Sequence, residues 1–157
     1  MKLLFLCTHN ACRSILAEVI ARKLGGSRLQ VASAGSAPAG RVHPLTLEFL
    51  TSAGYSTEDL RSQSLDEFRD FNPDAVVTVC DRAAGEACPL WLGDTLRIHW
   101  GLPDPSHAPE AERPQLFQQV ADILTVRIQA LLDANPEQLT SEQLQILMQN
   151  LGHKNER

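Results

Sequence analysis

The sequence contains no long apolar segment. No stretch of this 157-residue chain reaches the roughly 18 consecutive apolar residues that a transmembrane helix requires. The apolar run near the start covers only residues 3–6 and follows a single basic residue, Lys2, which is not the pattern of a secretory signal peptide. We therefore expect a protein of the cytoplasm without a membrane partner.

Basic residues are in the minority. Lys and Arg number 14 against 19 Asp and Glu, which gives a formal net charge of -5, and the two signs are interspersed along the chain. Because no basic stripe is available to neutralise a phosphate backbone, we expect no nucleic-acid partner. The length suits one domain with a substantial hydrophobic core.

Cysteine is also scarce, with Cys7, Cys12, Cys80 and Cys88 in the whole chain. Without a secretory signal, these residues indicate reduced, reactive or metal-binding thiols rather than a structural disulfide framework. Cys80, Cys88 and His99 could in principle supply three metal ligands. The chain lacks the paired Cys-x2-Cys spacing of a zinc knuckle, however, so we expect no metal site.

Residues 3–16, LLFLCTHNACRSIL, combine a strand, a tight loop and the start of a helix. The apolar run 3–6 predicts a buried central strand. Apolar residues then recur at helical spacing from Ile15 to a stop at Gly25, with Ser14 as the expected N-cap. Loop amides beside a helix start point at the same spot as the positive end of the helix dipole, so this junction predicts an anion-binding site.

Cys7 opens this loop and Arg13 closes it. A thiol beside a guanidinium group and a helix N-terminus favours the nucleophilic thiolate, and Ser14 is placed to hydrogen-bond it. Arg13 offers two parallel donors to a tetrahedral oxyanion, and Asn10 tolerates left-handed backbone geometry. The alternative is a buried strand-end thiol and a surface arginine, but the position of both at the strand-to-helix junction favours the anion site.

The rest of the chain alternates strands and helices. Further strands are predicted at 29–35, 75–79 and 95–100, and further helices at 45–53, after a capping box at Ser64, and at 116–132. This alternation predicts a doubly wound parallel sheet of about four strands. Residues 82–88 read as a polar, Gly-containing loop. We place one domain at 1–134 and assign the Gln-rich residues 135–157 to a C-terminal extension with a short helix and a frayed end.

A Cys-x5-Arg loop directly after the first strand resembles that of the low-molecular-weight protein tyrosine phosphatase fold family. The resemblance implies an α/β three-layer sandwich with a four-stranded parallel sheet flanked by helices. It implies Cys7 as the nucleophile and Asp104, in the pair Asp104-Pro105, as the general acid that protonates the leaving oxygen. The implied oxyanion site consists of Thr8, His9, Asn10, Ala11, Cys12, Arg13 and Ser14.

Two departures indicate a branch of this family. The chain has one tyrosine, Tyr55, and the residues after Pro105 are SHA, so the aromatic residue that phosphatases of the family carry near the acid is missing. Instead, Cys80 and Cys88 follow a predicted strand, and Trp100 precedes residues 101–105, the acid loop that carries Asp104. This arrangement resembles the arsenate reductases built on the same fold, although the spacing of the two cysteines is one residue longer than expected for thioredoxin-linked members.

The resemblance also implies a reaction. The Cys7 thiolate attacks arsenate, Asp104 protonates the leaving oxygen, Cys80 attacks the Cys7–arsenic adduct, and Cys88 takes over the disulfide by thiol exchange. This relay requires movement within residues 83–87. Arsenate would be the substrate, with phosphate or sulfate as competing anions. No bound cofactor is expected, and the external reductant would be thioredoxin, or glutathione with glutaredoxin.

Other interpretations stay open on the sequence. A phosphomonoesterase would use Cys7, Arg13 and Asp104 without the later cysteines, and a catalytically idle oxyanion sensor would need only the loop. Cys12 fits either a packed thiol or a protective disulfide partner of the nucleophile, as in related phosphatases. His43, before a proline, is expected to be structural. The resemblance suggests loop stabilisation or a monovalent-cation site for Asn10, Glu18, Ser33 and Asp66.

Overall fold

The computed structural model describes residues 1–85 and 92–153. Within them, four parallel strands form one sheet in the spatial order β2-β1-β3-β4. The strands are β1 (Lys2–Leu6), β2 (Gln30–Ala34), β3 (Ala75–Thr78) and β4 (Leu96–His99). The first strand is therefore central, paired with β2 on one side and β3 on the other. The predicted α/β fold with a four-stranded parallel sheet is confirmed.

Helical segments lie on both faces of the sheet. The α-helices are α1 (Arg13–Gly25), α2 (Pro44–Ser52), α3 (Asp81–Ala84), α4 (Arg113–Asp133) and α5 (Ser141–His153). Leu3 and Phe5 of β1 join a large core with residues of α1, α4 and α5. Leu4 and Leu6 face the other way and pack against the 3₁₀ helix Leu65–Phe68. Burial on both faces explains why β1 is apolar without alternation.

The start of α1 differs from the prediction. The helix begins at Arg13, with Cys12 as its N-cap. Asn10 has a left-handed backbone, with φ 47°, and this turn brings the chain into the helix early, so the carbonyl of Cys12 already accepts an intrahelical hydrogen bond. The prediction of Ser14 as N-cap is wrong, and this residue lies inside the first helical turn.

Two other local predictions have mixed outcomes. The capping box at Ser64 is confirmed, since its hydroxyl accepts from the backbone N–H of Asp66 and its own N–H donates to the Glu67 carboxylate, but the segment it starts is the 3₁₀ helix Leu65–Phe68. The predicted loop at 82–88 is wrong in its first part, where α3 forms a helical turn directly after Cys80. The rest of that loop lies outside the described residues.

The C-terminal helix α5 packs into the same core as the sheet. Leu144, Met148 and Leu151 are buried there, and the indole Nε1–H of Trp100 donates to the carbonyl of Met148 at 2.9 Å. These contacts join α5 to the end of β4. The domain boundary after residue 134 stays a prediction. Among the described residues, no helix has both the length and the apolar character needed to cross a membrane.

Candidate active site

The loop between β1 and α1 turns its carbonyl groups outward. The carbonyls of Thr8, His9 and Ala11 each accept a 2.9 Å backbone hydrogen bond from residues of the segment 37–43. In a trans peptide the carbonyl and the following N–H point in opposite directions, and the described residues contain no cis peptide. The amides that follow these carbonyls therefore point to the opposite side, away from that segment. The positive end of the α1 dipole lies on this same side. This arrangement suits an oxyanion.

Asn10 holds the shape of this anion loop. Its Nδ2 donates to Ser14 Oγ at 2.8 Å and to Ser33 Oγ at 3.0 Å, and its Oδ1 accepts from the backbone N–H of Gln63 at 2.7 Å. Its side chain is fully buried, so these bonds satisfy polar atoms that have no access to water. One residue thus ties the loop to α1, β2 and the segment before the 3₁₀ helix.

Gly35, directly after β2, lies against the same loop. A Cβ atom on this residue would lie 2.5 Å from the carbonyl oxygen of Thr8 and 3.0 Å from that of Cys7. The first distance is too short for a real Cβ contact and the second is tighter than most, and both involve backbone atoms that cannot rotate away. The small residues at the end of the predicted second strand are therefore required by the close approach of two backbones.

Cys7 lies at the base of the loop, with its Sγ 3.0 Å from Ser14 Oγ. Because Ser14 Oγ already accepts a hydrogen bond from the Asn10 amide, its own hydrogen is available for the sulfur. A hydroxyl donor at this distance stabilises a thiolate more than a thiol. Asn10, Ser14 and Cys7 therefore form a directed chain of donors that ends on the nucleophile candidate.

Arg13 and Asp104 meet at the mouth of the loop. Arg13 Nη1 donates to the carbonyl of Leu102 at 3.0 Å, and its Nη2 lies 3.6 Å from Asp104 Oδ2. The other carboxylate oxygen of Asp104 accepts from the N–H and the hydroxyl of Ser106, at 3.0 and 2.6 Å. Leu102 and Ser106 were not singled out from the sequence as site residues. The Asp-Pro-Ser order is the signal for Ser106, because an aspartate side chain commonly accepts hydrogen bonds from the residue two positions later.

Residues of the anion loop, Asp104 and a second thiol, that of Cys80, line one cleft of about 400 Å³. Cys80 lines this cleft with Cys7, Arg13 and Asp104, and its Sγ lies 3.8 Å from the hydroxyl oxygen of Thr8. The same sulfur accepts from the backbone N–H of Ala83 at 3.4 Å. Cys80 lies two residues after the end of β3, at the carboxyl end of the sheet. Ligands of open α/β sheets bind at this end. The third predicted relay cysteine, Cys88, lies outside the described residues.

Cys12 differs from the other cleft thiols. Burial raises the pKa of its thiol to about 12, with smaller raising contributions from the charges of Asp104 and Cys7, while the Thr46 hydroxyl and Arg13 act in the opposite direction. Burial has this effect because a thiolate loses its solvation inside the protein. Cys12 is therefore a neutral packed thiol at physiological pH. This agrees with the first of the two roles that the sequence left open.

His43 lines the other side of the cleft. Its imidazole Nδ1 accepts from the backbone N–H of Leu45 at 3.1 Å, so the side chain caps α2. The backbone N–H of His43 donates to the carbonyl of Ala11. The residue thus supports the anion loop through its backbone. These contacts are the structural role that the His-Pro pair predicts. The imidazole of His107 lies 3.8 Å from Asp104 Oδ2 at the exposed rim.

The polar residues considered for a cation site are only partly brought together. Ser33 Oγ donates to Glu18, whose other carboxylate oxygen accepts from Arg22 at 2.6 Å. Asp66 is exposed, with Arg69 3.9 Å away, and is not part of this group. Within residues 1–85 and 92–153, no group of three or more His, Cys, Asp or Glu side chains could hold a metal ion.

Comparison with known proteins agrees with this geometry. A family profile described as low molecular weight phosphotyrosine protein phosphatase matches residues 2–145. An arsenate reductase of Bacillus licheniformis is 37% identical over 126 residues, which are 79% of this chain and 89% of that protein. A solved arsenate reductase in the phosphate binding state has a TM-score of 0.70 and 26% identity, and the match covers 85% of this chain and 97% of that chain.

A second solved structure carries the same fold. It is the thioredoxin-dependent arsenate reductase Cg_ArsC1' of Corynebacterium glutamicum, with a TM-score of 0.67 and 28% identity over 88% of this chain and 63% of that chain. The sheet order, the position of the anion loop and the extent of these matches lead to one assignment. This chain belongs to the low molecular weight phosphotyrosine protein phosphatase family, and within it is similar to arsenate reductases.

Proposed function

We propose that this protein reduces arsenate to arsenite by a thiol relay that starts at Cys7 and passes through Cys80. The observation that carries the proposal is the presence of both thiols in one cleft, with Thr8 contacting the second sulfur. Phosphate-ester hydrolysis needs only one thiolate, whereas reduction needs a second thiol to accept the bond from the first. The arsenate reductases similar to this chain support the same interpretation.

The first step uses the anion loop and the acid loop together. The loop amides and Arg13 hold the arsenate oxyanion, and the Cys7 thiolate attacks arsenic and displaces one oxygen. Asp104, 3.6 Å from Arg13, is placed at the mouth of the loop and would deliver the proton with which that oxygen leaves as water. Arsenic remains pentavalent in the resulting Cys7–arsenic adduct.

The second step transfers electrons. The Cys80 sulfur attacks Cys7 Sγ, the sulfur–arsenic bond breaks, and its electron pair stays on arsenic, which leaves as arsenite. Two thiols are thereby oxidised to a Cys7–Cys80 disulfide while arsenic gains two electrons. In the third step Cys88 attacks Cys80 and releases the Cys7 thiolate, so that the disulfide ends between Cys80 and Cys88.

An external dithiol must then reduce this last disulfide. We propose thioredoxin, because the relay ends in an intramolecular disulfide and a structurally similar reductase is described as thioredoxin-dependent. Glutathione with glutaredoxin is the alternative, and it would need only Cys7 and one more thiol. A cycle that depends on thiols being kept reduced favours the cytoplasm as the site of action. The proposed chemistry uses no resident cofactor.

Hydrolysis of phosphate esters is the second candidate function, since Cys7, Arg13 and Asp104 suffice for it. The cleft lining argues against phosphotyrosine as the main substrate. None of the described residues that line the cleft is Phe, Tyr or Trp, so a phosphotyrosine ring would lack the large aromatic side chains on which such rings stack. We therefore expect ester hydrolysis to be a slow side reaction.

The test is arsenite production in the presence of thioredoxin with its reductase, or of glutathione with glutaredoxin, alongside hydrolysis of para-nitrophenyl phosphate. We expect fast arsenite production with thioredoxin and slow ester hydrolysis. The variant Cys7→Ser should lose both activities, because a serine hydroxyl does not ionise near neutral pH. Fast ester hydrolysis without arsenite production under either reductant would replace this proposal with the phosphatase.

A further inference from the structure

We propose that His99 is a positioning residue for the second thiol, acting through Asp81, the residue directly after Cys80. This inference rests on the proposed function for its catalytic consequence but not for its structural part. The His99–Asp81 contact, which we call the tether, joins the end of β4 to the start of α3. It would keep Cys80 in the cleft until the Cys7 adduct has formed.

The tether is part of a hydrogen-bonded row across two strands. Thr78 and His99 are paired residues at the ends of β3 and β4, and Thr78 Oγ1 lies 2.8 Å from His99 Nδ1. His99 Nε2 lies 3.0 Å from Asp81 Oδ1. Thr78, His99 and Asp81 thus form a continuous chain that begins on the sheet and ends one residue past the thiol.

The hydrogen-bond pattern suits either charge state of the ring. In a neutral His99, Nε2–H donates to Asp81 while Nδ1 accepts the hydroxyl of Thr78. In a protonated ring, Nδ1–H donates to Thr78 Oγ1, and the hydroxyl turns to the carbonyl of Ile98, 3.4 Å away. Because Asp81 receives a donor from Nε2 in both forms, the tether does not depend on the charge of the imidazole.

Gly101 lies directly against the tether. A Cβ atom on Gly101 would lie 2.9 Å from His99 Nε2 and 3.5 Å from Asp81 Oδ1. A larger residue would therefore require the His99 ring to shift at the atom that contacts the carboxylate. The next residue after Gly101 is Leu102, whose carbonyl accepts a hydrogen bond from Arg13.

The two sides of Cys80 are held differently. On the upstream side, Val79 N–H donates to Leu6 at 2.9 Å, and the Val79 carbonyl accepts from Leu102 N–H at 3.1 Å, which extends the sheet to the edge of Cys80. On the downstream side, the tether is joined by the bond from Ala83 N–H to the Cys80 sulfur, the bond from Gly85 N–H to the Asp81 carbonyl at 3.2 Å, and packing of Ala83 against the core. Of these contacts, the tether is the side-chain bond that joins this turn to β4, so it must break when the turn moves away from the sheet.

The first test measures opening without using the reaction. Cys80 is 3% exposed, so alkylation of its thiol by iodoacetamide requires local opening. In the full-length reduced protein, with labelling followed by mass spectrometry of the Cys80 fragment, Asp81→Ala and His99→Ala should each raise the labelling rate about 3- to 10-fold. Gly101→Ala should do the same with both partners intact, and His99→Gln, which keeps a donor near the Nε2 position, should restore most of the protection.

Asp122→Ala is the matched control, since Asp122 is an exposed aspartate on α4 that accepts a hydrogen bond from Gln118 at 2.9 Å. It should leave Cys80 labelling unchanged. Because the Asp81 side chain is 98% exposed, its removal does not threaten folding, so Asp81→Ala remains informative even where His99→Ala is poorly folded. Unchanged labelling in Asp81→Ala and Gly101→Ala, or an equal rise in Asp122→Ala, would overturn the tether.

The second test connects the tether to catalysis. In a single turnover, arsenite release should slow about 3- to 10-fold in Asp81→Ala, while hydrolysis of para-nitrophenyl phosphate, which does not use Cys80, should keep the wild-type rate. An equal loss in both assays, or no loss in arsenite release, would contradict the positioning role. If the wild-type protein releases no arsenite, the proposed function fails, and the labelling result alone decides the structural part.

Discussion

At the scale of single residues, the nucleophile candidate is prepared by its neighbours. Asn10 donates to Ser14, and Ser14 is left with one hydrogen that points to Cys7 Sγ, 3.0 Å away. A fixed donor that already faces the sulfur costs no rearrangement when the thiolate forms. Asp104 is prepared in a similar way, because Ser106 donates twice to one of its oxygens and leaves the other beside Arg13.

Replacing Asp104 by Asn removes the proton donor and keeps the shape of the side chain. We expect Asp104→Asn to lower the rate of adduct formation about 10²–10⁴-fold, the usual effect of losing a general acid. Phosphate binding, measured by calorimetry, should be unchanged or slightly stronger, because a negative charge near the anion is removed. Weakened phosphate binding with a normal single-turnover rate would exclude Asp104 from catalysis.

The Cys12 thiol predicts a pH dependence of stability. Its pKa rises from 9.0 to about 12 on folding, so the neutral thiol stabilises the fold fully below pH 9, and this stabilisation is lost as the pH rises toward 12. Between pH 8 and 10.5 the free energy of unfolding should fall by up to about 2 kcal/mol more in the wild type than in Cys12→Ala. Urea denaturation of both proteins measures this difference, and parallel curves would contradict the assignment.

The residues of this site were predictable to different degrees. Cys7 and Arg13 were singled out because both lie at the strand-to-helix junction and because the Cys-x5-Arg loop there resembles that of a known family, and the structure places both at one cleft. Asp104 could be found through the family resemblance, since a lone Asp-Pro pair also forms ordinary turns. Ser14 was misplaced as a cap, because the left-handed turn at Asn10 that starts the helix early depends on tertiary contacts with Ser33 and Gln63.

At the scale of elements, the anion loop depends on the close approach of β2. Gly35→Ala should weaken phosphate binding at least about tenfold, because a methyl group 2.5 Å from the Thr8 carbonyl must displace the loop. Gly54→Ala is the matched control. Gly54 has φ 86° with open space around its Cα, so alanine there should cost about 1 kcal/mol of stability and leave phosphate binding intact. Equal phosphate affinity in both variants would contradict this account of the loop.

The long helices followed from apolar residues at helical spacing and the central strand from a short apolar run, because each element is apolar on the faces that the core covers. Two elements were exceptions. The capping box at Ser64 was visible in the sequence, but the segment it starts is a single 3₁₀ turn, whose Leu65 packs with Leu4 and Leu6. The helical turn α3 was missed because four residues carry too little periodicity to indicate a helix.

At the scale of the whole molecule, α5 contributes to the central core, which composition alone did not indicate. Its Gln-rich face is exposed, whereas Leu144, Met148 and Leu151 are buried in the core and Leu147 packs against it. Met148→Ala should lower the free energy of unfolding by about 2–5 kcal/mol. Ile146→Ala, at a side chain of the same helix that is 54% exposed, should change it by no more than about 0.5 kcal/mol. Equal, small effects in urea denaturation would favour the predicted boundary at residue 134.

The central claim is that Cys7 and a second thiol in the same cleft, Cys80, together supply the two electrons that reduce arsenate and are left as a disulfide. The most direct measurement uses Cys88→Ser in a single turnover with arsenate and no external reductant, followed by acid quenching and tandem mass spectrometry of proteolytic fragments. Cys12→Ala is added to this variant because Cys12 lies on the same tryptic fragment as Cys7 and could itself form a disulfide. We predict one equivalent of arsenite and a trapped Cys7–Cys80 disulfide, which requires the two Cα atoms to come within roughly 4.4–6.8 Å. Sustained turnover on addition of thioredoxin at the wild-type rate, with no such disulfide, would contradict the relay.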